Sequence, residues 1–374
     1  MRVRYPFGPE TRTSRPWSKR IAYVAISVAT IGAITLAVLE MLVRAFAPQQ
    51  APTLWLRPDA RYGHTLKANF HQRYPFLGSD FVMDVRTNAQ GLRDEPLASY
   101  TQGVKTILFL GDSFTFGQAI NIEDRMDTQL EALCRTAGLA FRYINAGVSG
   151  WGTLQAARYG QDNFDVFRPD IIVLTFCEND PYDDAYFLAR GVSFDQVKFP
   201  GKTFLRKHFH LFRFLQYQYL LFLLNQKTRV ETQVPEEGQN EETTAHPEVA
   251  KPVGEMVIPQ AYWDKTAQYV RDFHAAFLKF NPQGVLLLQA GNPTNADIRK
   301  HLRALGNGAN LIYVDLAEAV SRIPPEQRRL PYDGHWSRKM HAISAQHLYD
   351  AIRQAARPEP RQAEAAKPRW KSGQ

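Results

Sequence analysis

Lys105–Gly117, KTILFLGDSFTFG, decides how the rest of the chain is read. Its first half is a short, mostly apolar run closed by Gly111, the pattern of a strand buried on both faces of a parallel sheet. Its second half puts Ser113 where strand gives way to helix. Outward from there, Asp127–Ala137 is patterned as a helix, and Phe141–Asn145 and Ile171–Phe176 as further strands. Tyr262–Phe280 predicts a helix, Val285–Gln289 and Leu311–Val314 strands, and Arg338–Arg353 a closing helix. Strand and helix alternate throughout, which predicts an α/β fold with a doubly wound parallel sheet.

The sequence has 374 residues, 44% of them hydrophobic, enough to bury a sizeable core. Its net charge of +8 lies at the two ends. Residues 1–20 carry Arg2, Arg4, Arg12, Arg15, Lys19 and Arg20 against Glu10, and residues 357–374 carry five Lys/Arg against two Glu. The body between is formally neutral, which argues against a nucleic-acid groove. Two cysteines, Cys134 and Cys177, make no disulfide framework; two small buried residues are the simpler reading, with a bond between them the other.

Ile21–Leu39 runs without a charge for a length close to the ~20 residues that cross a bilayer core. With the basic cluster before it, residues 1–20 form a cytoplasmic N-terminus and 21–47 a transmembrane signal anchor, the remainder being exported. The competing reading is a signal peptide cleaved after Ala45-Phe46-Ala47. On the anchor reading the protein is a single-pass inner-membrane protein with its main domain in the periplasm or otherwise extracytoplasmic.

Residues 52–100 are rich in turn formers and aromatics and read as lead-in strands and loops, with an alternating run at Phe81–Val85. The main domain then spans 101–355, interrupted by an insertion over 204–258. Within it Phe204–Leu224 is an aromatic helix with Arg206, His210 and Arg213 as a polar stripe, followed by a Glu-rich linker. Two readings of that helix stay open: it packs on the domain, or it caps the active site or lies on the membrane surface. Residues 357–374 form a basic tail.

Four segments fall at predicted strand ends, where doubly wound sheets bind ligands. They are Gly111–Gly117, Asn145–Gly152 (NAGVSGWG), Asn179-Asp180 and Tyr332–Trp336 (YDGHW). Taken singly, Ser113 reads as a helix cap and Asn179 as a cap or turn residue. The last segment changes the balance. A serine needs a base to attack an ester at neutral pH, and His335 suits that task. Asp333, on the same loop, is placed to orient the imidazole.

Together these segments resemble the SGNH hydrolase superfamily, also called the GDSL family. The resemblance spans about residues 105–355 and extends to Val85–Asp94 (VRTNAQGLRD), which is similar to the lead-in of membrane-anchored bacterial members. It implies a flavodoxin-like sheet and an esterase, lipase or carbohydrate acyl-transfer activity. It implies Ser113 as nucleophile, His335 as general base and acid, and Asp333 as its partner. The oxyanion hole would comprise the backbone N–H groups of Ser113 and Gly150 with the Asn179 side chain. Cys177 stands where the family often has Gly, one residue rather than two separates Asp333 from His335, and Phe114 replaces Leu.

The expected function is therefore a serine ester hydrolase acting through an acyl-enzyme on an O-acyl, foremost O-acetyl, ester of an envelope carbohydrate. Trp151 and Trp336 are expected to contact substrate. An O-acyltransferase, a lipase or thioesterase, and a non-catalytic membrane-tethered binding protein are the alternatives. No cofactor or metal is implied, since no His/Cys/Asp cluster has ligand spacing. Expected partners are an ester-bearing carbohydrate or lipid and the membrane, not nucleic acid; the sequence identifies no membrane-bound acyltransferase partner.

Overall fold

The computed structural model describes residues 17–97, 99–191, 199–219, 258–308 and 310–355. The expected cytoplasmic N-terminus before residue 17, the Glu-rich linker and the basic tail lie outside the described residues. The chain divides into two compact units. The first holds described residues 17–52 and 199–219, and the second holds the rest.

In the first unit, Trp17–Phe46 forms one helix, α1, with a mean hydropathy of 2.2 over its most apolar window. It is long and apolar enough to cross a bilayer, and none of its residues is buried by protein.

The second unit opens with two antiparallel pairs, β1 (Leu56–Asp59) with β2 (Gly63–Leu66) and β3 (His71–Pro75) with β4 (Val82–Arg86). The central sheet follows, built from β5 (Lys105–Leu110), β6 (Phe141–Asn145), β7 (Ile171–Phe176), β8 (Val285–Ala290), β9 (Asn307–Gly308) and β10 (Leu311–Tyr313). Its order is β6-β5-β7-β8-β10-β9, all parallel except the short edge strand β9. The three strands expected before residue 180 appear with the expected bounds.

Helices cover both faces, as a sheet apolar on both sides requires. α2 (Ser113–Phe116) is a single turn after β5, and α3 (Met126–Thr136) packs against the closing helix α12 (Arg338–Ala355) on one face. On the other, α4 (Thr153–Asp162) packs with α6 (Asp180–Arg190) and with α9 (Gln260–Phe280), and α9 also meets α10 (Ala296–Leu305). Two shorter helices, α5 (Phe164–Phe167) and α11 (Ala317–Ser321), complete this unit. Ile107 and Phe109 of β5 join Leu130 and Leu348 in the first layer of core, while Phe176, Trp263 and Leu302 form part of the second. Both cysteines are buried and unbonded, filling core volume as small apolar residues.

The aromatic insertion is not one helix. α7 (Lys202–His208) stops at Phe209, whose backbone is extended, and a second helix, α8, runs through 210–219. Residues 220–224 of the expected helix lie outside the described residues.

Candidate active site

Parallel strands bring the C-terminal ends of β5, β6 and β7 to one edge of the sheet. β5 and β7 are neighbours with their connections leaving in opposite directions, so a crevice opens between them. Ser113 follows β5 and Asn179 follows β7, and both therefore arrive at that crevice.

The turn carrying Ser113 is capped by its neighbour. Asp112 Oδ1 accepts a hydrogen bond from the Phe114 backbone N–H at 2.9 Å, so Asp112 is the N-cap and Ser113 the first helical residue. The Ser113 hydroxyl is thereby spared from capping. Its Oγ lies 2.7 Å from His335 Nε2 and a longer 3.3 Å from Asp112 Oδ2. On the far side of the ring, His335 Nδ1 is hydrogen-bonded to Asp333 Oδ1. Ser113, His335 and Asp333 thus form one continuous hydrogen-bonded chain, with the serine only 7% exposed.

Close spacing of Asp333 and His335 works because of Gly334. Its φ of +82° is a left-handed conformation that costs glycine nothing, and it lets side chains two residues apart converge. The loop is closed like a hairpin: Leu330 N–H donates to His335 O at 2.8 Å and Ser337 N–H to Arg328 O at 3.0 Å. Arg329 Nη1 donates to Gly334 O at 2.8 Å while its guanidinium sits over the Phe114 ring. Phe114 in turn packs beside the His335 ring, with centroids 5.1 Å apart.

The glycine-rich segment after β6 lies against the turn that carries Ser113. A Cβ at Gly147 would run into the Phe116 amide and the Thr115 carbonyl carbon, so only glycine permits this approach. Asn145 ties the two loops, its Nδ2 donating to Thr115 O at 2.9 Å and its Oδ1 accepting from Gly147 N–H at 3.0 Å. Asn179 precedes α6 but its side chain does not cap that helix. Its Nδ2 donates to Asp183 Oδ2 at 2.7 Å, and an amide nitrogen carries a second hydrogen.

Trp151 and Trp336 are 0% and 1% exposed. Their indole N–H groups donate inward, to His64 O at 2.8 Å and Gly291 O at 2.7 Å. Neither presents a face to solvent, so the expectation that they contact substrate gives way to a role in the core.

The structure also shows groups that motif reading passed over. His64, from β2, is buried, and its Nε2 lies 2.9 Å from Ser149 O, next to Gly150. Burial pushes its pKa down, and bonding a carbonyl requires the proton on Nε2. Arg93, fully interior, donates to four backbone carbonyls: Phe116 (3.0 Å), Gly117 (2.6 Å), Ile120 (2.7 Å) and Asp84 (3.1 Å). Arg125 Nη1 donates to Arg93 O at 2.5 Å and pairs through two 2.6 Å bonds with Asp127. Among these, only Arg93 fell within a segment noted for its resemblance, VRTNAQGLRD.

Ligand atoms of Asp112, Cys177 and Asp180 lie within 4.8 Å of one another behind the serine. Burial raises the pKa of all three, which favours their neutral forms, and the Cys177 thiol donates to Asp112 Oδ1 at 3.2 Å. Asp180 Oδ2 accepts separately from the Thr153 hydroxyl at 2.8 Å.

A family model described as GDSL-like lipase/acylhydrolase matches residues 109–343. The chain belongs to that family. It is an ester-hydrolysing enzyme on the SGNH fold, a mostly parallel sheet flanked by helices. A search of the curated proteins gave no match. Among solved structures, a Clostridium thermocellum family 3 carbohydrate esterase matches at 16% identity with a TM-score of 0.38, covering 67% of this chain and 97% of that one. An Enterococcus faecalis lipase/acylhydrolase matches at 13% identity with a TM-score of 0.39, covering 68% and 99%.

Proposed function

We propose that this GDSL-family chain is a membrane-anchored serine esterase that removes a small acyl group, foremost acetyl, from an envelope carbohydrate. The observation that carries the catalytic part is the hydrogen-bonded chain from Ser113 Oγ through His335 to Asp333. In the first half-reaction Ser113 Oγ attacks the ester carbonyl while its proton passes to His335 Nε2. Asp333 holds the ring in the tautomer that can accept it and stabilises the imidazolium. The backbone N–H groups of Ser113 and Gly150 and the second hydrogen of Asn179 Nδ2 take up the negative charge on the carbonyl oxygen. Collapse of the tetrahedral intermediate breaks the ester C–O bond, and His335 gives its proton to the departing sugar oxygen. Water then attacks the acyl-enzyme, its proton going to His335, and the acid leaves as Ser113 recovers its hydrogen.

Two features support the finer reading. Ser113, His335 and Asp333 are each largely enclosed, which suits an acyl group as small as acetyl better than a long chain. α1 is preceded by a basic segment, which by the positive-inside rule keeps the N-terminus in the cytoplasm and the catalytic unit outside, where envelope polysaccharide lies.

The test is fluorophosphonate labelling of the full chain together with assay on acetylated glycans. Labelling that disappears in Ser113→Ala and His335→Ala, with free acetate released, is the expected result. Equal labelling of a folded Ser113→Ala variant would overturn the mechanism, and transfer of acetyl to added glycan without free acetate would make the protein a transferase.

A further inference from the structure

The anchor unit has a second feature that ester hydrolysis does not use. Residues 199–219 hold seven aromatic side chains and no acidic one, and none of the 21 is fully buried in protein. Phe204, Leu215 and Tyr219 are each more than half exposed. An aromatic segment of this kind in water would leave a large apolar area unsatisfied.

This segment is fixed to the end of α1 by paired caps. The Glu40 carboxylate accepts from the His210 and Leu211 backbone N–H groups, at 2.9 and 2.7 Å, where α8 begins. Arg44 Nη2 donates to His208 O at 2.6 Å, where α7 ends, and Arg44 Nε bonds Glu40 at 2.6 Å. An acid at a helix start and a base at a helix end both complement the helix dipole. The polar side chains of the segment turn the same way: Gln49 N–H donates to His210 Nδ1 at 2.9 Å, and Arg213 donates to Arg206 O at 2.6 Å and reaches Gln49 O at 3.4 Å. Of its polar stripe, His210 and Arg213 thus turn toward Gln49, just past the end of α1, while Phe204, Leu215 and Tyr219 remain outside.

Position along α1 says what covers them. The uncharged run Ile21–Leu39 spans about 28 Å at helical rise, close to the ~30 Å of a hydrocarbon core, so Glu40 stands at its edge. Everything tied to Glu40 then lies at headgroup depth, where aromatic side chains are favoured. Lys202, Arg206 and Lys207 add positive charge suited to anionic phospholipid.

We propose that residues 199–219 form an interfacial collar around the exported end of the anchor, its aromatic side chains inserted among phospholipid headgroups. This rests on reading α1 as an uncleaved anchor, so the test probes the two separately. The full chain is reconstituted in phosphatidylethanolamine/phosphatidylglycerol vesicles containing brominated lipid. A fluorophore is attached to a cysteine introduced at Phe204, Leu215 or Tyr219, with Val28 as the mid-helix reference; the native cysteines are buried.

The expected result is loss of fluorescence at all three collar positions with bromine near the headgroup, and at Val28 with bromine deep in the tails. Glu40→Gln should reduce quenching at Leu215 while leaving Val28 unchanged. Quenching at Val28 without quenching at 204, 215 and 219 would overturn the collar and keep the anchor, and shielding of those positions from both lipid and aqueous iodide would mean that protein covers them instead. No quenching at Val28 would overturn anchor and collar together.

Discussion

Ser113 and His335 meet in one hydrogen bond, but the regions that deliver them are built differently. The serine turn is interior. It is held by Arg93 from behind, Asp112 from within and Gly147 from the side. The histidine loop spans a partly exposed stretch, closed by its own backbone hydrogen bonds and by Arg329. A support made of buried polar groups is shared with the core, so disturbing it affects stability and chemistry together. A support made of local loop contacts can fail in the chemistry alone.

The largest effect tests the shared hydrogen bond. Ser113→Ala should lower kcat/KM by roughly 10⁴-fold or more while leaving the melting temperature nearly unchanged, measured on a chromogenic acetyl ester and by calorimetry. Arg93→Leu should break the comparison from the other side. It strips four carbonyls of their donor, and should cost about 3 kcal/mol or more of stability by urea denaturation, with activity falling as a consequence. Asn179→Ala should cost ~3 kcal/mol of transition-state stabilisation, read as a fall in kcat with KM little changed.

Acid should weaken the interior. Burial drives the His341 pKa down to about 3 and lowers that of His64, so the unfolded chain takes up protons that the folded one refuses. Stability is then full above the unfolded value near 6.5 and lost as pH falls below it, by about 1.4 kcal/mol per pH unit for His341 down to its folded value, with His64 acting in the same direction. His341→Phe should flatten that slope in denaturation curves taken between pH 7 and 5. The smallest effect sharpens the contrast: Arg329→Ala should lower kcat about tenfold, ~1.4 kcal/mol, with a smaller change in melting temperature.

The bounds of β5 and β7 were legible because both are mostly apolar runs with polar punctuation, a signal carried within a few residues. Asp333 and His335 were legible as a pair for the same reason. The roles of Ser113 and Asp112 at the helix start were not, because either residue type can cap and the choice lies in backbone angles. Trp151 and Trp336 misled because an aromatic beside a motif looks the same in sequence whether it faces solvent or core. The break at Phe209 also escaped notice, since α7 and α8 share one apolar pattern and what separates them is a pair of caps from Glu40 and Arg44, some 170 residues away.

By itself the sequence determined the α/β class, the long apolar helix at the start, and which serine, histidine and aspartate to watch. Each of those rests on local composition, periodicity or a short motif. Tertiary structure alone decided that Ser113 reaches His335, that Arg93 and His64 brace the loops around them, and that Glu40 receives the amides of α8. Those are contacts between groups far apart in the chain, and the reason a given buried donor finds a given acceptor lies in the packed geometry that satisfies both.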